Sequence, residues 1–201
     1  MEKAHTHIEH SIARKKKGEL IFPTDFRGQG TAAAIKKALS RLTQQGKLKR
    51  LSHGIYYVPK VDPVFGEIYP SPAAVAAIIA KKEKVSIRPA GAYALNQLGL
   101  STQVPTKLVY LTDGVPRQLK IGKVIVQFKS TTQKKLAARG DLSGLIIQAL
   151  EELDTRNMNP ETEKRIMELL LKEDPKKLQH DMKLAPARIH DYILNLLKQS
   201  K

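Results

Sequence analysis

Thr31 to Pro59 reads TAAAIKKALSRLTQQGKLKRLSHGIYYVP, and two periodicities meet inside it. Ile35, Leu39 and Leu42 recur at i, i+4 and i+7, the stripe of a helix that buries one side. Lys36, Lys37, Ser40, Arg41 and Gln44 fall on the other side of the same helix. Thr31 is a suitable N-cap, and Gly46 a suitable stop after about Gln45. Beyond it, KLKRL and IYYV alternate as two strands around Ser52-His53-Gly54, where Gly54 is free to take positive φ.

Upstream, residues 3–17 read as a helix with Ile8 and Ile12 four apart. Arg14 to Lys17 would lie near its C-terminal end, where cations complement the helix dipole, and Gly18 would end it. ELIFPTDF supplies Leu20, Ile21 and Phe22, then Pro23-Thr24-Asp25 as the start of a short second helix, and RGQG is a turn. Helix, short helix, helix, basic hairpin is the order of a winged helix-turn-helix. Its third helix can pack by its apolar face while its cationic face enters a major groove. The hairpin would carry Lys47, Lys49, Arg50 and His53 to phosphates or to the minor groove. Cations so closely spaced repel one another unless something anionic covers them. The expected DNA-binding set is Arg27, Gln29, Thr31, Lys36, Lys37, Ser40, Arg41, Gln44, Lys47, Lys49, Arg50 and His53.

Charge points the same way. The 201 residues carry 35 Lys+Arg against 19 Asp+Glu, a formal +16. Residues 1–60 hold +9 and 61–140 hold +8, whereas 141–201 hold −1. A positive field confined to two-thirds of the chain favours capture of a polyanion over a uniform solubility bias. Cysteine is absent, which excludes disulfides, Cys-ligated zinc and thiol catalysis and fits a reducing cytoplasm. No apolar run has membrane-helix length, and MEKAHTHIEH lacks an apolar signal core, so a cytoplasmic protein is expected.

Val61 to Pro72 (VDPVFGEIYPSP) reads as an extended linker. SPAAVAAIIAKKEK then predicts a helix capped at Ser71 with Pro72 at its first position. VSIRPAGAYALNQLGL predicts a strand and a small-residue helix. KLVYLTDG and KVIVQFKS read as strands with RQLKIG as a hairpin between them, and 142–153, 161–172 and 186–198 as amphipathic helices. The expected fold is α+β: a winged helix-turn-helix over 1–62, then an α+β effector domain over 63–201 with a helical C-terminal region, 141–201.

AIKKALSRLTQQGKLKRLSHGIYYVP followed by PAGAYALNQLGLSTQVPTKLVYLTDG resembles the AbiEi-type antitoxins of bacterial type IV toxin–antitoxin systems. The resemblance covers about 18–130, and ALNQLGLSTQVP (Ala94–Pro105) is its more distinctive part. It implies an antitoxin-like regulator whose winged helix binds inverted repeats in its own promoter and represses the operon. It also implies a C-terminal domain that opposes a nucleotidyltransferase-like toxin without forming a stable complex. By position, Thr31, Lys36, Lys37, Ser40, Arg41, Lys49, Arg50 and His53 would face the DNA.

Other chemistry is thinner. Asp113, with Gln127 and Lys129 on the following strand, has the outline of a restriction-endonuclease-like Mg²⁺ site. Gln ligates Mg²⁺ poorly, no upstream acid is evident, and Asp113-Gly114 is also an ordinary β-turn pair. His7 and His10 could share a metal from one helix face, but a solvated face is the simpler reading. His180-Asp181 and His190-Asp191 are adjacent pairs expected to point to different helix sides. Ser101-Thr102-Gln103 could be a polar site or a helix cap, and the cap is the preferred reading. One of Tyr56 and Tyr57 should face the core, and the other could stack on a base. Scarce aromatics (5%) favour duplex DNA over single strands. Neither catalysis nor a cofactor nor a metal is expected; a nuclease using Asp113, Gln127 and Lys129, or an RNA-binding protein, is the alternative.

Overall fold

The structure, a computed structural model, describes residues 2–199. The chain divides into two compact units, 1–78 with 119–124, and 79–118 with 125–201. The fold is α+β.

In the first unit α1 (Glu2–Ala13) precedes a two-residue strand β1 (Leu20–Ile21), a 3₁₀ turn (Pro23–Phe26), α2 (Ala32–Gln44), and strands β2 (Lys49–Ser52) and β3 (Ile55–Tyr57). The Thr31 hydroxyl accepts the Ala34 N–H at 3.2 Å to start α2. Gly46, at φ +73°, ends it: its N–H reaches Thr43 O at 3.1 Å and the Lys47 N–H reaches Leu42 O at 2.9 Å. That reversal needs the left-handed conformation only glycine adopts freely. Ile35, Ala38, Leu39 and Leu42 are buried with Ile8, Ile12, Ile21, Phe26, Leu48 and Tyr56 in one core.

Four features depart from the expectations. α1 stops at Ala13, so Arg14 to Lys17 form a turn beyond it, not its last coil. Glu19 holds that turn, accepting from Lys15 Nζ at 2.8 Å and from the Lys16 N–H at 3.0 Å. The 3₁₀ turn replaces a second α-helix. Its Asp25 carboxylate accepts the Phe22 N–H at 2.8 Å, closing the turn on itself. The sheet has three strands in the order β1-β3-β2, with Leu20 opposite Tyr57 and Ile21 opposite Tyr56. Finally, the expected linker holds a hairpin of β4 (Lys60–Asp62) and β5 (Gly66–Ile68), with Asp62 opposite Gly66. Asp62 Oδ1 accepts the Val64 and Phe65 N–H groups at 2.8 and 3.0 Å, which shapes its tip. Those two hydrogen bonds hold the Asp62 carboxyl below its usual range.

Downstream lie α3 (Pro72–Glu83), β6 (Ile87–Ala90), α4 (Ala92–Gln97), β7 (Lys107–Thr112), β8 (Arg117–Ile121), β9 (Val124–Ser130), α5 (Gln133–Leu136), α6 (Asp141–Leu150), α7 (Pro160–Leu170), α8 (Pro175–Met182) and α9 (Ala187–Gln199). The sheet order is β6-β7-β9-β8, with β6 antiparallel and β9 parallel to β7. RQLKIG is therefore mostly strand β8, and the turn lies at Gly122-Lys123. On one sheet face Leu108, Tyr110, Thr112, Val126 and Phe128 are buried, and the Tyr110 ring stacks on Phe128 at 5.9 Å. A core of α4, α6, α7, α8 and α9 side chains, centred on Ile146, Leu150, Ile166, Ile189 and Ile193, closes the second unit.

Candidate nucleic-acid interface

α2 carries the chemistry of this surface on one side only. At about 100° per residue, Lys36, Lys37, Ser40, Arg41 and Gln44 span an arc of about 140°, and the buried Ile35, Ala38, Leu39 and Leu42 occupy the opposite side. Each of those five polar residues is exposed, as are Arg27, Gln29 and Thr31 in the segment leading into the helix. Beside that segment lies a hollow of about 290 Å³ lined by Pro23, Thr24, Arg27, Gly28, Gly30, Ala32, Ile35 and Lys36. The helix is thus anchored by its aliphatic side, and its cations and hydrogen-bonding side chains project together.

The β2–β3 hairpin is less freely charged than the spacing of its lysines implies. The Lys47 ammonium donates to Glu9 on α1, and Lys49 Nζ donates to Glu67 on β5 at 2.5 Å. Both carboxyls are held below their usual range, chiefly by those lysines. An anionic cover over part of the hairpin therefore exists within the chain, so the close spacing of its cations does not by itself call for a polyanion. Arg50 lies on β2 opposite Tyr56, and His53 occupies the turn. Arg50 Nε donates to Ser52 O at 3.1 Å, and its Nη2 lies 3.1 Å from His53 Nδ1. Lys47, Lys49, Arg50 and His53 are all exposed.

Neither tyrosine of β3 offers a ring to solvent. Tyr56 and Tyr57 point to opposite faces of β3 and both are buried: Tyr56 lies in the core with Leu39 and Leu42, and the Tyr57 ring lies 6.4 Å from Tyr69, just beyond the β4–β5 hairpin. The Tyr57 hydroxyl donates to Glu67, and burial followed by that carboxylate pushes the phenol's pKa far up. Glu67 thus joins the end of β3, Lys49 on β2 and the β4–β5 hairpin.

A family profile matches residues 7–178, a span running from α1 into α8 and covering every strand. The chain belongs to DUF6088, a family of unknown function. No curated protein matches the chain.

Elsewhere in this DUF6088 chain, the nuclease-like residues do not converge. β7 and β9 do lie side by side, but Gln127 stands opposite Val109 and Lys129 opposite Leu111. Asp113 follows the end of β7, four residues past the level of Gln127, or about 13 Å along the strand. Its carboxylate accepts the Ser86 N–H at 2.8 Å, which ties the end of β7 to the start of β6. Gln127 is half-buried, and its Oε1 has no hydrogen-bond partner among the described residues. Ser101 caps no helix; its hydroxyl accepts the Gln103 N–H at 3.2 Å within a loop. Among the described residues no group of three or more His, Asp or Glu could hold a metal, and no helix is long and apolar enough to cross a membrane.

One cluster in the second unit escapes a sequence reading. Asp181, on α8, is fully buried and accepts from the Arg139 and Gly140 N–H groups, each at 2.8 Å, and from the Ser143 hydroxyl at 2.6 Å. His180 Nδ1 lies 2.8 Å from the same carboxylate, so these adjacent side chains do meet, contrary to the expectation. His190 and Asp191 also approach, at 3.1 Å. Glu173 accepts the Leu142 and Ser143 N–H groups, each at 2.9 Å, completing the cap of α6. The order is serine to carboxylate to imidazole. A nucleophile needs its base on the hydroxyl, so the cluster caps a helix and does not form a triad.

Proposed function

We propose that the first unit is a winged helix-turn-helix and that the protein is a sequence-specific regulator that binds duplex DNA. α2 would be the recognition helix and the β2–β3 hairpin the wing. One observation carries this reading: a single arc of α2 projects Lys36, Lys37, Ser40, Arg41 and Gln44 together while the opposite arc is buried. Electrostatic capture by a chain of formal charge +16 would precede base reading by the helix. The resemblance to AbiEi-type antitoxins extends the proposal. The setting is a bacterial cytoplasm, the target inverted repeats in the protein's own promoter, and the second unit opposes a nucleotidyltransferase-like toxin without a stable complex.

Two substitutions separate reading from capture. Arg41→Ala is expected to reduce preference for the selected site over random duplex by about 1–3 kcal/mol, as for a lost guanine contact. Lys37→Ala should weaken all duplexes alike and lower the salt dependence by about one unit of slope. Competition binding across a salt series measures both. Identical effects of the two changes on every sequence would remove the assignment.

The pairing of Lys49 yields a third expectation. Glu67→Gln removes the carboxylate that occupies the ammonium, so Lys49 becomes available to a phosphate. Duplex binding should tighten at low salt and its salt slope steepen by up to about one unit. An unchanged slope would mean that Lys49 stays away from the backbone.

A further inference from the structure

α1 has a second side that the reading above leaves idle. Ile8 and Ile12 enter the core, while His7, His10 and Arg14 follow one another at i, i+3 and i+7 and are exposed. At about 1.5 Å per residue, with Arg14 one residue past the helix end, they cover about 10 Å, the axial rise of about three base pairs. Together with Ser11, Lys15 and Gln29 they line an open groove of about 670 Å³. Among the described residues that line the groove none is acidic. The groove adjoins the start of α2: a Cβ on Gly30 would lie 3.2 Å from Ala4 Cβ on α1 and 3.7 Å from Ala34 Cβ on α2. The polar face of α1 therefore flanks the end of the helix proposed to enter the major groove.

Among the described residues the charged groups around the two imidazoles are few. On the same helix Glu9 is engaged by Lys47 and lies 3.7 Å from His5 Nε2. In the turn after it, Lys15 donates to Glu19 at 2.8 Å and Arg14 is exposed. From the turn before α2 comes Gln29, which is neutral. An anion entering the groove would meet Arg14, two imidazoles able to donate once protonated, a hydroxyl and an amide. Two histidines alone make a poor metal site, whereas this mixture of donors suits phosphate oxygens.

We infer that His7 and His10 on α1 and Arg14 in the turn that follows it, together with Gln29, grip the sugar–phosphate backbone of the duplex beside the recognition helix, and that this grip tightens as the histidines take up protons. The inference rests on the reading of the first unit as a duplex binder. It adds a contact surface outside both α2 and the wing, and it makes affinity depend on pH. Imidazole is the side chain whose charge changes across the neutral range, and only its protonated form presents two donors and a positive charge to phosphate. Affinity therefore rises as pH falls.

The test uses the full chain and a labelled random-sequence duplex of about 30 base pairs at low salt, since phosphate contacts carry no sequence information. Wild type is expected to bind about three- to tenfold more tightly at pH 6 than at pH 8. His7→Gln with His10→Gln should flatten that profile, and Arg14→Ala should lower the salt slope by about one unit without changing sequence preference. His53→Gln on the wing is the matched control and should retain most of the pH dependence. All these side chains are exposed, so circular dichroism should be unchanged in each variant. A wild type that binds no duplex overturns the DNA reading itself. A wild type that binds, with the same pH profile and salt slope in the α1 variants, overturns this inference and leaves that reading in place. A pH dependence abolished by His53→Gln alone also overturns it, moving the proton to the wing.

Discussion

Asp181→Ala is expected to destabilise the second unit by about 3–5 kcal/mol, measured by chemical denaturation at neutral pH. The carboxylate is fully buried and satisfies the Arg139 and Gly140 N–H groups, the Ser143 hydroxyl and the His180 imidazole. Truncation leaves all of these donors facing a void where water has little access. The half-buried Arg88 guanidinium suffers too. It donates to Ala138 O at 2.8 Å, and burial, which lowers its proton affinity, is opposed by the charges of Asp181 and Asp141. Asp181→Asn keeps the shape but turns an N–H₂ group toward donors, so it should recover only part of the loss. A cost below about 1 kcal/mol for the alanine variant would mean that the carboxylate holds no load in α6 capping.

Acid should act on the same groups. Burial alone would push the Asp181 carboxyl up, but His180, the Ser143 hydroxyl and the two backbone N–H groups outweigh it and hold the carboxyl below its usual range. Glu173 is held low in the same way, burial being outweighed by the N–H groups of Ser143, Asp174 and Leu142. A carboxyl depressed on folding adds stability in full above its unfolded-state value, and that share drains away as pH falls through the depressed one. The second unit should therefore weaken progressively below about pH 4–5, and Asp181→Asn should shallow that acid limb.

Local signals in the sequence reached far but had a definite limit. The extent of α2, its Thr31 cap, its Gly46 stop and the turn at Gly54 all depend on residues within a few positions of one another. Each was legible for that reason. What escaped depends on separation. Lys47 meets Glu9 across 38 residues and Lys49 meets Glu67 across 18, so the charge state of the hairpin could not be read from the hairpin. Tyr56 and Tyr57 are both buried because the second face of β3 is covered too, by Glu67 and Tyr69 from the segment read as a linker. The β4–β5 hairpin hid behind Pro63 and Gly66, which resemble linker punctuation. α8 did have a local signature, since Asp174 caps it from just before Pro175, accepting the Lys176 and Lys177 N–H groups at 2.9 Å. Its eight residues are short enough to pass for a loop between longer helices. The α6 cap joins Ser143 to Asp181, a separation that no spacing rule connects.

Leu39→Ala separates the two jobs of α2. Leu39 is fully buried among Ile8, Ile12, Phe26, Ile35 and Leu42, so removing its isobutyl group forfeits burial and leaves a cavity. The expected loss is about 2–5 kcal/mol for the first unit, a large part of what a small domain has. Its exposed neighbours Ser40 and Arg41 keep their chemistry, so the fraction that remains folded should bind duplex DNA as wild type does. Apparent affinity should then fall only in proportion to that fraction, and recover on cooling toward the temperature of greatest stability. Arg41→Ala should do the reverse, leaving the melting curve almost unmoved while changing which duplex is chosen. If Leu39→Ala melts within about 1 kcal/mol of wild type, the aliphatic side of α2 is not what seats it. In that case the outward direction of Lys36, Lys37, Ser40, Arg41 and Gln44 loses its physical cause: the helix period gathers them on one arc, but only a buried stripe opposite turns that arc to solvent.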